Sequence, residues 1–328
     1  YSMPSFIIAV SLGEPAGLGP DILVTAAQKP RTAAWVVFGS AQVLQERAKQ
    51  LALPLRLIPY LADQAPSCEP GCLTLVDIPC AAAVKVGCLN AVNSTAVLAA
   101  LTASAIFCAQ AGNRALVTLP IHKGIINVAG QPFTGHTEYL AELSGIPKVV
   151  MMLGSDRLKV ALQTIHVPLK AVASLITRVE LAQTFAIVQA HWQRFYEHKP
   201  RILVLGLNPH AGEEGYLGLE ERDIIAPTLQ HLNQQGYDLV GPVAADTAFT
   251  PKMLRGIDVV LAMYHDQGLA PLKALEFGAV VNYTLGLPYI RTSVDHGVGL
   301  DVAGTGGAEI SSFLAAEAAA GFLNRNRE

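Results

Sequence analysis

The strongest constraint on the fold is that apolar runs and helical stretches alternate along the whole chain of 328 residues. Strands that are apolar throughout are typical of a parallel sheet covered by helices on both faces. The sequence therefore predicts an α/β fold with a largely parallel sheet. Strands are predicted over 6–10, 34–38, 115–119, 149–153, 160–164, 202–207, 259–263 and 279–283.

Several helices begin and end at residues that favour helix termini. One is predicted to open at Asp21, with Pro20 near its first turn. Another, over 93–111, has Asn93 or Ser94 as its N-cap and stops before a glycine. Further helical stretches are predicted over 139–143, 181–195 and 224–235.

At this length we expect two α/β/α lobes with a central cleft between them. Composition places no boundary, because the chain has no repeat and no low-complexity linker. We place the first lobe at 1–128 together with about 300–328, and the second lobe at 129–299.

Charge and cysteine content limit the class of protein. A net charge of -3 and a pI near 6.3 provide no basic surface for nucleic acid or a membrane. No uninterrupted apolar run reaches the roughly 18 residues of a transmembrane helix. Five cysteines, without a secretory signal, indicate reduced thiols and a cytoplasmic protein. The spacing of Cys68, Cys72, Cys80 and Cys88 favours a structural role over a zinc site.

Three of the predicted strands are followed by a histidine. His166, His210 and His265 come after the strands over 160–164, 202–207 and 259–263. Ligands bind beyond the carboxyl ends of the strands in open α/β sheets, so these imidazoles are expected to converge. Three neutral ligands leave coordination positions open, which is the pattern of a catalytic metal. The alternative is three unrelated surface or core histidines.

Two further polar groups fit an anionic ligand. His136 and Thr137 lie in a Thr-Gly-His-Thr turn where a helix begins, and the segment 120–124 follows another strand. Backbone N–H groups at such a turn bind phosphate or carboxylate, although simple N-capping explains the turn equally well. Lys273, Asn282 and Arg291 form a second set, which suggests a doubly anionic substrate.

Five segments carry a resemblance to a known family. They are GEPAGLGPD at 13–21, FTGHTE at 133–138, LNPHAGE at 207–213, AMYHDQG at 262–268 and NYTLGLPYIRTSVDHG at 282–297. They closely resemble the 4-hydroxythreonine-4-phosphate dehydrogenases of vitamin B6 biosynthesis, nearly end to end. Segments this long and in this order are far more specific than a single glycine-rich loop.

The resemblance implies oxidation of 4-phosphooxy-L-threonine by NAD or NADP to a 3-oxo acid that loses carbon dioxide. It also implies a fold similar to the isocitrate and isopropylmalate dehydrogenases, and a homodimer whose site is shared between subunits. The second lobe would then hold the metal and substrate residues and the dimer contacts. The implied metal ligands are His166, His210 and His265, and the implied substrate contacts are His136, Thr137, Lys273, Asn282 and Arg291.

The catalytic and cofactor residues are less well specified. Asp246 and Asp266 are carboxylates placed to orient ligands or relay protons. The turn over 13–19 lacks the G-x-G-x-x-G spacing of a dinucleotide site, so we interpret it as a tight turn. The segment 295–304 looks like the adenine-side loop of the decarboxylating dehydrogenases, which makes Asp295, Gly297 and Gly304 the candidate cofactor residues.

Several alternatives stay open on the sequence alone. Related enzymes with the same motifs act on other phosphorylated hydroxy acids. A metal-dependent aldolase would also use three histidines and a phosphate site, and a non-catalytic phospho-ligand binding protein would need neither metal nor cofactor. The metal is not settled among zinc, magnesium, cobalt and manganese, nor is the choice between NAD and NADP.

Overall fold

The structure, a computed structural model, describes residues 6–276 and 280–326 and divides into two compact units. Of these residues, 6–145 and 287–326 form unit 1, and 146–276 and 280–286 form unit 2. The predicted lobes differ at their boundaries, because 129–145 and 287–299 were expected with the second lobe and pack with the first. As a result, three of the candidate substrate residues, His136, Thr137 and Arg291, belong to unit 1.

The strands are short and mostly buried. In chain order they are β1 (Ile7–Ser11), β2 (Ala34–Gly39), β3 (Arg56–Pro59), β4 (Cys72–Asp77), β5 (Arg114–Thr118), β6 (Val150–Gly154), β7 (Lys159–Leu162), β8 (Arg201–Leu205), β9 (Asp238–Val243), β10 (Val259–Ala262), β11 (Val281–Leu285) and β12 (Ile290–Ser293).

Helices connect most of these strands. They are α1 (Leu18–Ala27), α2 (Ala41–Gln50), α3 (Ser94–Ala109), α4 (Lys123–Val128), α5 (His136–Leu143), α6 (Leu169–Leu175), α7 (Arg178–Phe195), α8 (Ala226–Gln234), α9 (Ala245–Ala248), α10 (Pro251–Leu254), α11 (His265–Leu275) and α12 (Ser311–Arg325). Short turns of 3₁₀ helix lie at Ala91–Asn93 and Pro209–Gly215, and a π-helical turn lies at Glu221–Ile225.

In unit 1 the strands run in the order β3-β4-β2-β1-β5-β12, and all neighbours are parallel. Ser11 of β1 is level with Phe38 of β2 and with Thr118 of β5. The segments after β1 and β5 therefore leave the sheet at the same edge. Helix α12 covers β5 and β12, and its Phe313 packs edge-on against Trp35 with ring centroids 5.3 Å apart.

In unit 2 the strands run in the order β11-β6-β7-β10-β8-β9. Strand β6 is antiparallel to both of its neighbours, whereas β7, β10, β8 and β9 are mutually parallel. The fully buried Leu203, Val260 and Leu272 belong to the core beneath these strands. The segments that follow the four parallel strands therefore leave the sheet at the same edge.

The predicted α/β fold with a mostly parallel sheet is confirmed. Every predicted strand is present, with ends that agree within two residues, apart from Ala279, which lies outside the described residues. Strands β3, β4, β9 and β12 were not predicted. Strands β3 and β12 have only four residues each, and β9 contains a glycine and a proline, so their apolar pattern is weak.

Three helix starts were predicted too late, among them that of α7, which begins at Arg178 rather than at 181. Helix α1 begins at Leu18 rather than Asp21, because the carboxylate of Asp21 is buried against Arg47 and does not cap the helix. Helix α5 begins at His136 rather than at 139. Its N-cap is Gly135, which offers no side chain to recognise in the sequence.

One helical stretch, Ala91–Ala109, is long and apolar enough by composition to cross a membrane. The sequence predicts a helix here but not a membrane span, because polar residues interrupt its apolar run. In the structure this stretch packs through α3 on β1, β2 and β5. Its apolar composition is therefore that of a helix in the core of unit 1.

Candidate functional site

The three candidate metal ligands come after adjacent strands of unit 2. His166 comes after β7, His265 after β10 and His210 after β8, and these strands are neighbours in the order β7-β10-β8. They are parallel, so all three histidines lie at the carboxyl edge of the same sheet. This is the topology that convergence of the three imidazoles requires.

His166 and His265 come together at that edge. Their ring centroids lie 5.6 Å apart, with 41° between the ring planes. The Thr164 hydroxyl donates a hydrogen bond of 2.7 Å to the carbonyl oxygen of Met263, which ties the two histidine-bearing segments together. Zinc lies about 2.0–2.1 Å from an imidazole nitrogen, so two rings at this separation have the spacing of ligands to one ion.

His210 lies in the Pro209–Gly215 turn, which has an unusual backbone. His210 and Ala211 have φ angles of 54° and 50°, and Glu213 and Glu214 come next with 43° and 57°. This left-handed conformation costs roughly 1–2 kcal/mol per residue for side chains other than glycine. Across the described ranges, no three His, Cys, Asp or Glu side chains form a metal-binding group. The prediction of one ion bound by all three histidines stays a prediction.

Asp266 fixes the orientation of the His265 ring. Nδ1 of His265 lies 2.7 Å from Oδ1 of Asp266. A carboxylate only accepts hydrogen bonds, so Nδ1 carries the proton and Nε2 is left as the donor atom for a metal. The Asp266 side chain is 86% exposed, so its oxygens are accessible to a ligand or to water. An imidazole pair with this carboxylate support fits a borderline divalent ion such as zinc or cobalt.

Two residues that were not predicted from the sequence, Glu221 and Gln267, hold the histidine-bearing segments in place. The buried carboxylate of Glu221 accepts hydrogen bonds from the backbone N–H of Asn208 at 2.6 Å and from its side chain at 3.0 Å. Gln267 donates to the carbonyl of Gly206 at 2.7 Å and accepts from the N–H of Met263 at 2.7 Å. This network connects the segments after β8 and β10.

Asp246 lies in the first turn of α9, just after β9. Helix α9 contacts β8 and the Pro209–Gly215 turn, so Asp246 belongs to the same edge of unit 2 as His210. Its side chain is exposed. A role in proton transfer stays a prediction.

The other candidate residues of unit 2 are Lys273 and Asn282. Lys273 lies in the last turn of α11, which begins at His265, and it is exposed. Asn282 lies on β11, and its buried Oδ1 has no hydrogen-bond partner within the described part of the chain. Burying an amide oxygen without a hydrogen-bond partner costs free energy, and a ligand that donates to this oxygen would recover it.

His136 occupies a buried site at the start of α5 in unit 1. Burial is the main cause that lowers the pKa of His136 well below its usual value, and the cations Arg291 and Lys123 act in the same direction. The ring is therefore neutral at pH 7. Its Nε2 is buried and has no hydrogen-bond partner among residues 6–276 and 280–326. No side chain caps α5.

Arg291 lies beside this site on β12. Its guanidinium is buried and donates to the Thr118 hydroxyl at 2.7 Å. Burial lowers the pKa of Arg291 to about 10, so the group is still charged at neutral pH. A buried cation next to an uncapped helix start suits an anionic ligand.

The candidate cofactor residues come after β12 in unit 1. Gly304 has a φ of 77°, and its N–H donates to the buried carboxylate of Asp21 at 2.8 Å. That N–H is used within the protein, so it is not available to a cofactor. Gly297 is exposed, with open space around its Cα, and the N–H of Asp295 donates to the Ser312 hydroxyl at 3.4 Å. These roles stay predictions.

The glycine-rich segment after β1 is a tightly packed turn. Gly13 has a φ of 77°, and a Cβ there would lie 2.3 Å from the carbonyl oxygen of Pro120. A Cβ on Gly17 would lie 2.6 Å from the carbonyl oxygen of Val298. These glycines are needed for close packing of backbone on backbone.

The likeness to known proteins extends over nearly the whole chain. The family model described as "Pyridoxal phosphate biosynthetic protein PdxA" matches residues 31–320. A 4-hydroxythreonine-4-phosphate dehydrogenase of Thioalkalivibrio sulfidiphilus is 51% identical over 312 residues, which cover 94% of each chain. Another, of Acidithiobacillus ferrooxidans, is 49% identical over 322 residues, 98% of this chain and 97% of the relative. The crystal structure of the Klebsiella pneumoniae enzyme of that name has a TM-score of 0.87, with 31% identity, and covers 98% of this chain and 100% of its own.

Proposed function

The chain belongs to the family of pyridoxal phosphate biosynthetic protein PdxA, and from this premise we propose that it oxidises 4-phosphooxy-L-threonine at C3 with NAD or NADP. A hydride passes to the nicotinamide and the hydroxyl proton is released. The product, 2-amino-3-oxo-4-phosphooxybutanoate, loses carbon dioxide to give 3-amino-2-oxopropyl phosphate. This reaction is a step in the synthesis of pyridoxine 5'-phosphate.

The observation that carries this proposal is the buried anion site at the start of α5. His136 is neutral with an unpartnered Nε2, and Arg291 is buried and charged. Together with the uncapped N–H groups of the helix and the buried Thr137, they suit the phosphate of the substrate. Lys273 and Asn282 are retained as further proposed substrate contacts, as the resemblance implies.

We assign His166, His210 and His265 as the ligands of a divalent ion, with zinc, magnesium and cobalt as the candidates. The support is the contact between the rings of His166 and His265, the carboxylate partner of His265 and the position of His210 after the adjacent strand. Bound there, the ion supplies Lewis-acid stabilisation for the negative charge that develops on the C3 oxygen.

The chain's own groups then orient the reactants and handle protons. Asp266 holds the Nδ1 proton of His265 and leaves Nε2 without a proton. Asp246 and Asp266 are exposed carboxylates at the edge that bears the histidines, which suits them to accept and release protons. Asp295 and Gly297 are retained as nicotinamide cofactor contacts, and Gly304 supports the same loop through its bond to Asp21.

We further propose that the enzyme is a homodimer whose site is shared between subunits. Large apolar side chains are exposed beside two of the metal ligands: Leu169 near His166 and Tyr216 near His210 are 69% and 86% exposed. Burial of these side chains against a partner subunit would remove apolar surface from water, so we assign both to the interface. The five free thiols fit a reducing compartment, and we place the enzyme in the cytoplasm, with no nucleic acid or membrane partner.

The direct test is reduction of NAD and of NADP by the purified protein with 4-phosphooxy-L-threonine. We expect activity that a chelator abolishes and added zinc, magnesium or cobalt restores. His166→Gln, His210→Gln and His265→Gln should each lose both activity and cobalt binding, with the surface variant His231→Gln as the matched control. Chelator-resistant activity would reject the metal assignment.

Absence of reduction with every metal and both nucleotides would reject this substrate. The assay would then be repeated with other phosphorylated hydroxy acids. Cleavage of the substrate without nucleotide would favour a metal-dependent aldolase.

A further inference from the structure

Lys123 lies against the anion site of unit 1, although neither the resemblance nor the motifs assign it a role. It is the first residue of α4, directly after the segment that leaves β5. Its Nζ is 3.4 Å from the point where a Cβ on Gly135 would stand, and Oε2 of Glu138 is 2.7 Å from the same point. A Cβ on Gly135 would clash with the Glu138 carboxylate, and the Lys123 ammonium lies at van der Waals distance from the same point, beside the N-cap of α5.

The position of Lys123 is not explained by the stability of the fold. A cation at a helix N-terminus opposes the helix dipole, which favours negative charge there. In the part of the chain that the structure describes, the Lys123 ammonium makes no hydrogen bond or ion pair. The side chain is exposed, so a ligand can reach it.

The charged groups at the start of α5 suit a ligand that carries more than one negative charge. Lys123 and Arg291 both act on the buried ring of His136, and the nearby carboxylate is Glu138, which acts on Arg291. These two cations exceed the charge of Glu138 by one, and the uncapped N–H groups of α5 add to the positive potential. A phosphate monoester carries about −1.5 to −2 at pH 7, whereas a carboxylate carries −1. The surroundings therefore suit the phosphate better than the carboxylate.

We propose that Lys123 binds the phosphate group of the substrate together with Arg291, His136 and the start of α5. The inference rests on the proposed function for the identity of the substrate, but not for the phosphate site itself. Lys123 thereby sets the preference for the phosphorylated amino acid over its unphosphorylated form.

The test compares Lys123→Met with wild-type protein, with Lys29→Met as the matched control at an exposed lysine elsewhere in unit 1. We expect the KM for 4-phosphooxy-L-threonine to rise about tenfold or more, while kcat changes less than about threefold, because the lost contact is a charge-assisted bond to a part of the substrate that does not react. Competitive inhibition by inorganic phosphate should weaken by a similar factor. Lys123→Arg should recover most of the affinity.

Two results would overturn the proposal. One is an unchanged KM together with unchanged inhibition by phosphate in Lys123→Met. The other is an equal loss of affinity for 4-hydroxy-L-threonine, which lacks the phosphate and would reveal a general disturbance of the site. Calorimetric titration of inorganic phosphate into wild type and Lys123→Met separates this question from the enzyme assay. If wild type does not act as a dehydrogenase but binds phosphate through Lys123, the proposed substrate is wrong. The phosphate site is then still supported.

Discussion

Burial controls the ionisation of two histidines in this protein. His136 and His191 both lie in surroundings that disfavour a charged ring, and burial is the leading cause that lowers the pKa of each. The pKa of His191 falls to about 3. Its ring lies between the side chains of Trp192 and Phe195, with centroids 5.6 and 5.0 Å away. His191 is thus a neutral ring packed among aromatic side chains of unit 2, with a pKa far below the usual value for histidine.

This shift predicts how His191 affects stability as the pH changes. The folded pKa lies below the unfolded value of about 6.5, so the unfolded chain binds the extra proton as the pH falls. Stability should therefore decrease below pH 6.5, by up to about 1.4 kcal/mol per pH unit from this residue. The free energy of unfolding of His191→Gln, measured with urea between pH 7 and pH 5, should change less steeply with pH than that of wild type, by about that amount. An identical slope in the variant would contradict the burial argument.

Individual residues of the site differ in how far the sequence predicts them. His166 and His265 were predicted because parallel strands deliver their succeeding residues to one edge, and the structure brings their rings within 5.6 Å. Glu221 and Gln267 were not predicted. They act through hydrogen bonds to backbone groups that are distant in the chain, and no spacing or periodicity indicates such a partner.

At the scale of elements, one buried ion pair connects three parts of unit 1. Asp21 of α1 is paired with Arg47 of α2, and both side chains are almost fully buried. Arg47 also donates to the carbonyl oxygens of Gly17 and Pro15 at 2.7 and 2.8 Å. The second oxygen of Asp21 accepts the N–H of Gly304. The pair therefore holds the turn after β1 and the candidate cofactor loop in one arrangement.

Removing one member of this pair should be costly. Asp21→Asn leaves the Arg47 charge buried without its counter-charge, so we expect a loss of roughly 3–5 kcal/mol in the free energy of unfolding. Denaturant unfolding measures this directly. The double variant Asp21→Leu with Arg47→Met should lose less than the single variant, since no buried charge is left. A single variant as stable as wild type would show that the pair does not stabilise the fold.

The elements themselves were predictable where burial is uniform. Strands such as β1 and β10 are buried at every position and were found from their apolar runs. Strand β3 has only four residues, none of them fully buried, and it was missed. Helix α5 was placed too late because its N-cap is a glycine, while its first residues, His136 and Thr137, are the ones proposed to bind the ligand.

For the whole molecule, a site shared between subunits requires a dimer. Light scattering should give twice the chain mass of 34.7 kDa. Leu169→Asp or Tyr216→Asp should shift the protein toward monomer and reduce activity in parallel, because each would place a charge in the proposed interface in place of an exposed apolar side chain. Leu61→Asp, in unit 1, is the control and should remain dimeric and active. A fully active wild-type monomer would contradict a shared site.

The central claim is that the enzyme oxidises its substrate at C3 and that the carboxyl carbon is then lost. The most direct test is to supply 4-phosphooxy-L-threonine labelled with ¹³C at the carboxyl group and to measure reduced nucleotide and labelled carbon dioxide in one reaction. We predict that the two form in equal amounts, with 3-amino-2-oxopropyl phosphate as the other product. Formation of glycine and glycolaldehyde phosphate, without nucleotide reduction, would contradict the claim and identify a carbon–carbon lyase instead.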